Sequence, residues 1–188
     1  MRRSIFFFLA FTFFSSFQVF GQKPETVLKS PDTWREEIIP FPLGFAPEID
    51  LVGFEDIRFS KGWPDSTKQG FWTYSFVWYV DKTEALTETT LASYFEYYFD
   101  GLMQVVNKDD IKIDPTICLF IKTEDGFKGK IRTYDSFFTK DYIVLNLKVK
   151  QFNCGEEKQI IRFELSPKAY DHPLWEKFKE VELKINCN

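Results

Sequence analysis

Leu86-Thr87-Glu88-Thr89-Thr90-Leu91-Ala92-Ser93-Tyr94-Phe95-Glu96-Tyr97-Tyr98-Phe99-Asp100-Gly101-Leu102-Met103-Gln104-Val105-Val106 is the stretch on which the fold turns. Leu91, Phe95, Tyr98, Leu102 and Val105 recur at helical spacing, and Ala92, Phe99, Met103 and Val106 widen the apolar stripe. Ser93, Glu96, Asp100, Gln104 and Asn107 form the polar stripe. Thr87 suits an N-cap, because its hydroxyl can accept from an orphan N–H of the first turn; Glu88 stands in that turn and Leu86 can staple to Leu91. The spacing predicts one long helix from Thr87 to Val106, and most of its circumference asks for burial.

Downstream the period falls to two. Ile117, Leu119 and Ile121 alternate with Cys118 and Phe120, Glu124-Asp125-Gly126 supplies a hairpin turn, and Gly129 to Phe138 reads as the return strand. Tyr142 to Phe152 puts Ile143, Leu145, Leu147 and Val149 on one side and Asn146, Lys148 and Lys150 on the other; Asn153-Cys154-Gly155 turns it into Gln159 to Leu165. Four strands joined by short loops predict an antiparallel meander with one buried face. Ser166-Pro167 and His172-Pro173 signal a helix start, Leu174, Trp175, Phe178 and Val181 give a short amphipathic helix, and Val181, Leu183, Ile185 and Cys187 alternate as a final strand.

Upstream of the helix, Trp34 to Ile39 reads as a strand ended by Pro40 and Pro42, since proline offers no ladder donor. Phe41 to Pro47 is an apolar loop. Leu51 to Phe59 places Leu51, Ile57 and Phe59 on one face and Val52, Phe54 and Arg58 on the other, up to the turn Lys61-Gly62-Trp63-Pro64-Asp65. Phe71 to Val80 is apolar on both faces, the mark of a central strand covered on two sides. The order implies an α+β fold: a curved antiparallel sheet with a C-terminal strand meander, packed on one long helix, plus a short C-terminal helix.

The chain has 188 residues, 44% hydrophobic and 28% charged, which fits one globular domain. Met1-Arg2-Arg3 precedes the apolar run Ile5 to Phe14, followed by Ser15, Ser16 and Gln18 and then Val19-Phe20-Gly21, the three regions of a signal peptide with cleavage expected after Gly21. The run is too short for a spanning helix, which needs about 20 apolar residues. No second such segment follows, so the expected product is soluble and exported, periplasmic or secreted. It is a single domain over residues 22–188, with 22–33 a loose lead-in. Losing Arg2 and Arg3 shifts the net charge from −4 to −6, and a mixed acidic surface does not suit a phosphate backbone. No nucleic-acid partner is expected.

Cys118, Cys154 and Cys187 all lie beyond that cleavage point, and an exported chain meets conditions in which thiols pair. Cys118, inside Ile117-Cys118-Leu119-Phe120-Ile121, reads as a buried free thiol. A Cys154–Cys187 bridge would fasten the C-terminus to a hairpin tip, although three cysteines leave the pairing open.

Catalytic chemistry finds little support. His172 is the only histidine and sits at a helix start, where capping accounts for it; no nucleophile signature, zinc motif or phosphate-cradling loop accompanies it, and no cofactor is called for. Glu36/Glu37, Glu55/Asp56 and Asp109/Asp110 are adjacent carboxylates, which on a strand point to opposite faces and read as solvated. Asp109, Asp110 and Asp114 lack the spacing of a calcium loop. Aromatics are the departure from average, at 19% of the chain. Trp63, Trp72, Tyr74 and Trp78 are the candidate ligand-binding residues, with Trp72, Tyr74 and Trp78 alternating onto one face as a lined wall requires; core filling competes with that role.

Trp34-Arg35-Glu36-Glu37, Phe41-Pro42-Leu43-Gly44-Phe45-Ala46-Pro47-Glu48-Ile49 and Gly53-Phe54-Glu55-Asp56-Ile57-Arg58-Phe59-Ser60-Lys61-Gly62-Trp63 together resemble a family of uncharacterised exported bacterial proteins. The resemblance runs from Trp34 to about Gly101, implies export and a single domain, and carries no activity. The expected function is a non-enzymatic binding module for a protein partner or a small apolar or carbohydrate ligand held between sheet and helix. The alternative is a hydrolase acting on envelope or carbohydrate material through carboxylates that the fold brings together.

Overall fold

Two antiparallel meanders meet in the middle of one sheet. A computed structural model describes residues 24–187; the expected signal peptide and its cleavage point lie outside them. Strands β1 (Leu28–Lys29), β2 (Arg35–Pro40), β3 (Gly53–Phe59) and β4 (Tyr74–Asp81) precede helix α1 (Glu88–Val105), and β5 (Ile117–Thr123), β6 (Gly126–Tyr134), β7 (Tyr142–Cys154), β8 (Lys158–Ser166) and β9 (Glu182–Leu183) follow it. Seven strands run β2-β3-β4-β8-β7-β6-β5 across the main sheet, every neighbouring pair antiparallel. The β5 to β8 meander is the predicted one, and β4 is an inner strand next to β8, buried on both faces because each face meets its own apolar layer.

One layer is α1. Thr87 Oγ1 accepts from the N–H of Thr90, as the capping residue should, and Leu91, Phe95, Tyr98, Phe99 and Met103 are buried. They pack on Phe76, Trp78, Ile131, Leu145 and Phe163 of the sheet. Val105, expected in the stripe, is 68% exposed, and Leu102 is half-buried. Gly101 is dictated by the loop beneath it: a Cβ there would stand 1.7 Å from the carbonyl oxygen of Phe45.

The opposite layer covers β3, β4 and β8 with Val27, Leu28, Trp34, Trp175, Phe178 and Val181, which meet Val77 and Ile160. Residues expected to be a loose lead-in take part in it. Asp56 Oδ2 accepts from the N–H groups of Val27 and Leu28 and from Thr26 Oγ1, while Arg58 pairs with Oδ1 of Asp56 and donates to the Leu28 carbonyl. That buried network ties β1 to β3, and β1 in turn pairs with β9. The short C-terminal helix is a 3-10 helix, Pro173–Glu180, capped by His172 Nδ1 accepting from Leu174 N–H at 3.1 Å. The final strand shrinks to two residues, and Cys154 and Cys187 beyond it are bonded, with Cα atoms 4.4 Å apart. Cys118 is the buried free thiol.

Two strand boundaries differ for local reasons. The strand expected from Phe71 begins at Tyr74, because Trp72 takes a left-handed φ of 48° and its N–H returns to the Trp63 carbonyl at 3.2 Å. The return strand expected to reach Phe138 stops at Tyr134, because the Asp135 carboxylate collects the N–H groups of Phe137, Phe138 and Thr139 and folds them into a turn.

Candidate ligand-binding site

Register across β2, β3 and β4 builds the floor of a cavity. Arg35 lies opposite Phe59, which lies opposite Tyr74; Glu37 lies opposite Ile57, and Ile39 opposite Glu55. Side chains two apart share a face, so Arg35, Glu37, Ile39, Ile57, Phe59 and Tyr74 all look toward the α1 side. The end of α1 supplies one wall with Tyr98, Leu102 and Val106, and Phe45, Trp63, Trp72 and Phe137 come in from loops. The enclosed volume is about 380 Å³, inside the range of about 300–1,000 Å³ common for small-molecule sites.

The aromatic rings there form a connected wall. Trp63 stands 4.5 Å from Phe59, 4.9 Å from Phe138 and 5.6 Å from Trp72 between centroids, mostly in tilted or edge-on arrangements that suit the ring quadrupoles. Arg35 holds its guanidinium over Phe59 at 5.0 Å and over Trp63 at 5.8 Å. Glu37 lies 4.0 Å from that guanidinium, both side chains largely exposed at the rim, so the pair contributes little to stability. The indole N–H groups of Trp63 and Trp72 are buried and find no acceptor among the described residues. A buried donor without a partner costs about 1–3 kcal/mol, so two of them on rings that line one cavity are an unusual concentration.

Three of the four sequence candidates, Trp63, Trp72 and Tyr74, therefore meet in one place. Trp78 does not. It is fully buried under Tyr94, Phe95 and Phe163, and its indole donates to Glu55 Oε2 at 2.7 Å. Trp78 shares the strand face of Tyr74, but it stands farther along β4, beneath the middle of α1. Trp72 reaches the cavity from the turn before β4 rather than from the strand.

Glu55 and Asp56 correct the expectation that adjacent carboxylates are solvated, since both are fully buried. Glu55 points to the α1 side, where Trp78 and the phenol of Tyr98, at 3.0 Å, donate to its two oxygens. Burial pushes its carboxyl from 4.5 up to about 7; the two hydrogen bonds hold it down and the charge of Glu37 adds to the rise. Burial, and then the Glu55 charge, lift the Tyr74 and Tyr98 hydroxyls well above the ordinary phenol range. Sequence reasoning missed Arg35, Glu37, Tyr98 and Phe137 as cavity residues. Arg35 and Glu37 were accessible through alternation along Trp34 to Ile39, whereas Phe137 was hidden by the turn at Asp135. Among the described residues no group of three or more His, Cys, Asp or Glu is arranged to hold a metal ion.

No protein-family model, no curated protein and no solved structure matches this chain.

Proposed function

We propose that the chain is an exported, non-enzymatic binding module whose ligand has an apolar or ring-shaped body and carries hydrogen-bond acceptors. The observation that carries this reading is a cavity of about 380 Å³ walled by Trp63, Trp72, Phe59 and Phe137 with the Arg35 guanidinium at its rim. An apolar or ring-shaped body replaces water against Phe59, Ile57 and Phe137, while acceptors on the ligand meet the exposed rim. Arg35 at the rim adds a planar cation for a carboxylate, a sulfate or a sugar ring edge. Curvature of the sheet around α1 belongs to the same reading, because it keeps β2 and β3 near the helix end.

Export is supported by the N-terminal pattern of Met1 to Gly21 and by the Cys154–Cys187 bond, which fits an oxidising periplasmic or extracellular setting. Kinship with uncharacterised exported bacterial proteins rests on the Trp34 to Trp63 motifs and agrees with that placement.

A second reading, hydrolysis through carboxylates, has one observation in its favour: Glu55, held near pH 7, feels the charge of Glu37. Both Glu55 oxygens are occupied by donors, and Glu55 does not line the cavity, which favours binding over catalysis. Thermal melts across fatty acids, aromatic carboxylates and oligosaccharides test the proposal. A ligand should raise the melting temperature of the wild type but not of Leu102→Phe, which fills the cavity from α1. Equal shifts in both proteins, or turnover of a glycoside abolished by Glu37→Gln, would overturn it.

A further inference from the structure

The face of the sheet opposite the cavity is covered over β3, β4 and β8, and the later part of β7 is covered too: the Tyr170 hydroxyl bonds the Gly129 and Leu147 carbonyls, and Asn146 is buried against the Lys168 carbonyl. Over β5, the outward side chains of β6 and the start of β7 it is open, and its chemistry there departs sharply from the rest of the molecule. Ile117, Leu119 and Ile121 stand in a row along β5, 53%, 71% and 63% exposed, although a buried meander face was expected to absorb the apolar residues. Lys128, Lys130 and Arg132 run beside them on β6, each directly opposite one of the three: Ile121 with Lys128, Leu119 with Lys130, Ile117 with Arg132. Val144, 48% exposed, follows on β7 opposite Arg132, and the guanidinium of Arg132 lies 3.9 Å above the Tyr142 ring. Lys148 and Lys150 continue the basic character, with Lys148 over the Trp175 ring at 4.5 Å. Strands β5, β6 and β7 contain no aspartate or glutamate, in a chain whose net charge is −4. Their acidic neighbours are Glu88, Glu96 and Asp100 of α1 along the β5 edge, Asp114 beside Tyr142, Glu124, Asp125 and Asp141 in the turns, Glu164, which pairs with Arg162, and Glu176, which pairs with Lys179.

An added strand is not the occupant. Carboxylates spaced along α1 take outward N–H groups at and just before β5: Asp100 accepts from Thr116 at 2.7 Å, Glu96 from Cys118 at 3.4 Å and Glu88 from Lys122 at 3.2 Å. The helix thus closes the sheet edge that an extended peptide would use. A second copy meeting this face would set cation against cation. What remains is an anionic partner that also accepts aliphatic side chains.

We propose that the open face of β5, β6 and the start of β7 docks on a bilayer surface bearing anionic headgroups. Ile117, Leu119 and Ile121 enter the headgroup boundary, Tyr142 sits at its level, and Lys128, Lys130 and Arg132 reach the phosphates from neighbouring positions, with about 4.8 Å between strands and about 6.8 Å between residues two apart. Because the protein is acidic overall, only this face approaches such a surface, which fixes the orientation and leaves the cavity turned away from the lipid.

Flotation of the exported protein with vesicles of phosphatidylcholine, and of phosphatidylcholine mixed with phosphatidylglycerol, tests this. The protein should float with the anionic vesicles alone and be released by high salt. The triple variant Lys128→Gln/Lys130→Gln/Arg132→Gln should partition about a hundredfold more weakly, since each basic residue near an anionic surface is worth roughly one factor of five. Leu119→Ser should weaken partition while leaving its salt dependence intact. All three residues of the triple variant are exposed, so its melting temperature should match the wild type, which separates lost docking from lost folding. Equal binding to neutral vesicles, undiminished partition of the triple variant, or no partition of the folded wild type at low salt would overturn the proposal; the last result would point to an acidic protein surface instead.

Discussion

Tyr98 of α1 donates its phenol to Oε1 of Glu55 on β3 at 3.0 Å, across the interface between helix and sheet. With Trp78 on the other oxygen, the carboxyl is fully satisfied yet sealed from water, and burial wins by lifting it to about 7.

That shift makes stability depend on pH with a definite sign. Below about 4.5 Glu55 is protonated in both folded and unfolded chains and contributes no difference. Between about 4.5 and 7 the unfolded chain releases the proton while the folded chain keeps it, so stability falls as pH rises, by about 3 kcal/mol in total on this group's account. Glu55→Gln should flatten that window in urea denaturation and exceed the wild type in stability at pH 8. A pH slope unchanged by the substitution would assign the dependence to other groups.

Trp78→Ala should destabilise the protein by about 3–5 kcal/mol, because a fully buried indole leaves a cavity and strips Glu55 of a donor. Trp63→Ala should cost less, since its N–H is already unpartnered. Chemical denaturation of both variants checks the order, and a larger loss for Trp63 would contradict it.

The bond between Cys154 and Cys187 closes a loop with a sequence separation of 33. Cys154→Ser/Cys187→Ser should lower stability by about 3–4 kcal/mol in the chain-entropy account and expose β9 and the 3-10 helix to protease first. Cleavage beginning elsewhere would show that the C-terminal layer is held by Trp175 and Phe178 alone.

Along α1, Leu91→Ala should cost about 2–5 kcal/mol and Val105→Ala under about 0.5, following their burial. Gly101→Ala should also destabilise, since its methyl would meet the Phe45 carbonyl. A tolerant Gly101 would mean that the Phe41 to Pro47 loop yields easily.

The helix and the β5 to β8 meander were legible because each is written in local periodicity: Thr87 caps, Leu91 and Phe95 repeat at helical spacing, and Leu145, Leu147 and Val149 alternate. The site was legible only in part. Trp63, Trp72 and Tyr74 announced themselves by composition, but Arg35 joins them only through the pairing of β2 with β3, which no single segment encodes. Glu55 looked like half of a solvated acidic pair, since the groups that satisfy it, Trp78 and Tyr98, lie 23 and 43 residues away. Asp135 turned a predicted strand end into the loop that delivers Phe137. On β5, alternation established two faces without saying that the aliphatic one stays open.

The most direct test of ligand binding at this cavity is the indole N–H region of a ¹⁵N spectrum, in which the five tryptophans give one resonance each. Titration with ligands that raise the melting temperature should move the Trp63 and Trp72 signals as the ligand packs against their rings, leaving Trp78 in place on Glu55. Stabilising ligands that leave Trp63 and Trp72 unmoved, or that shift Trp78 instead, would contradict the account.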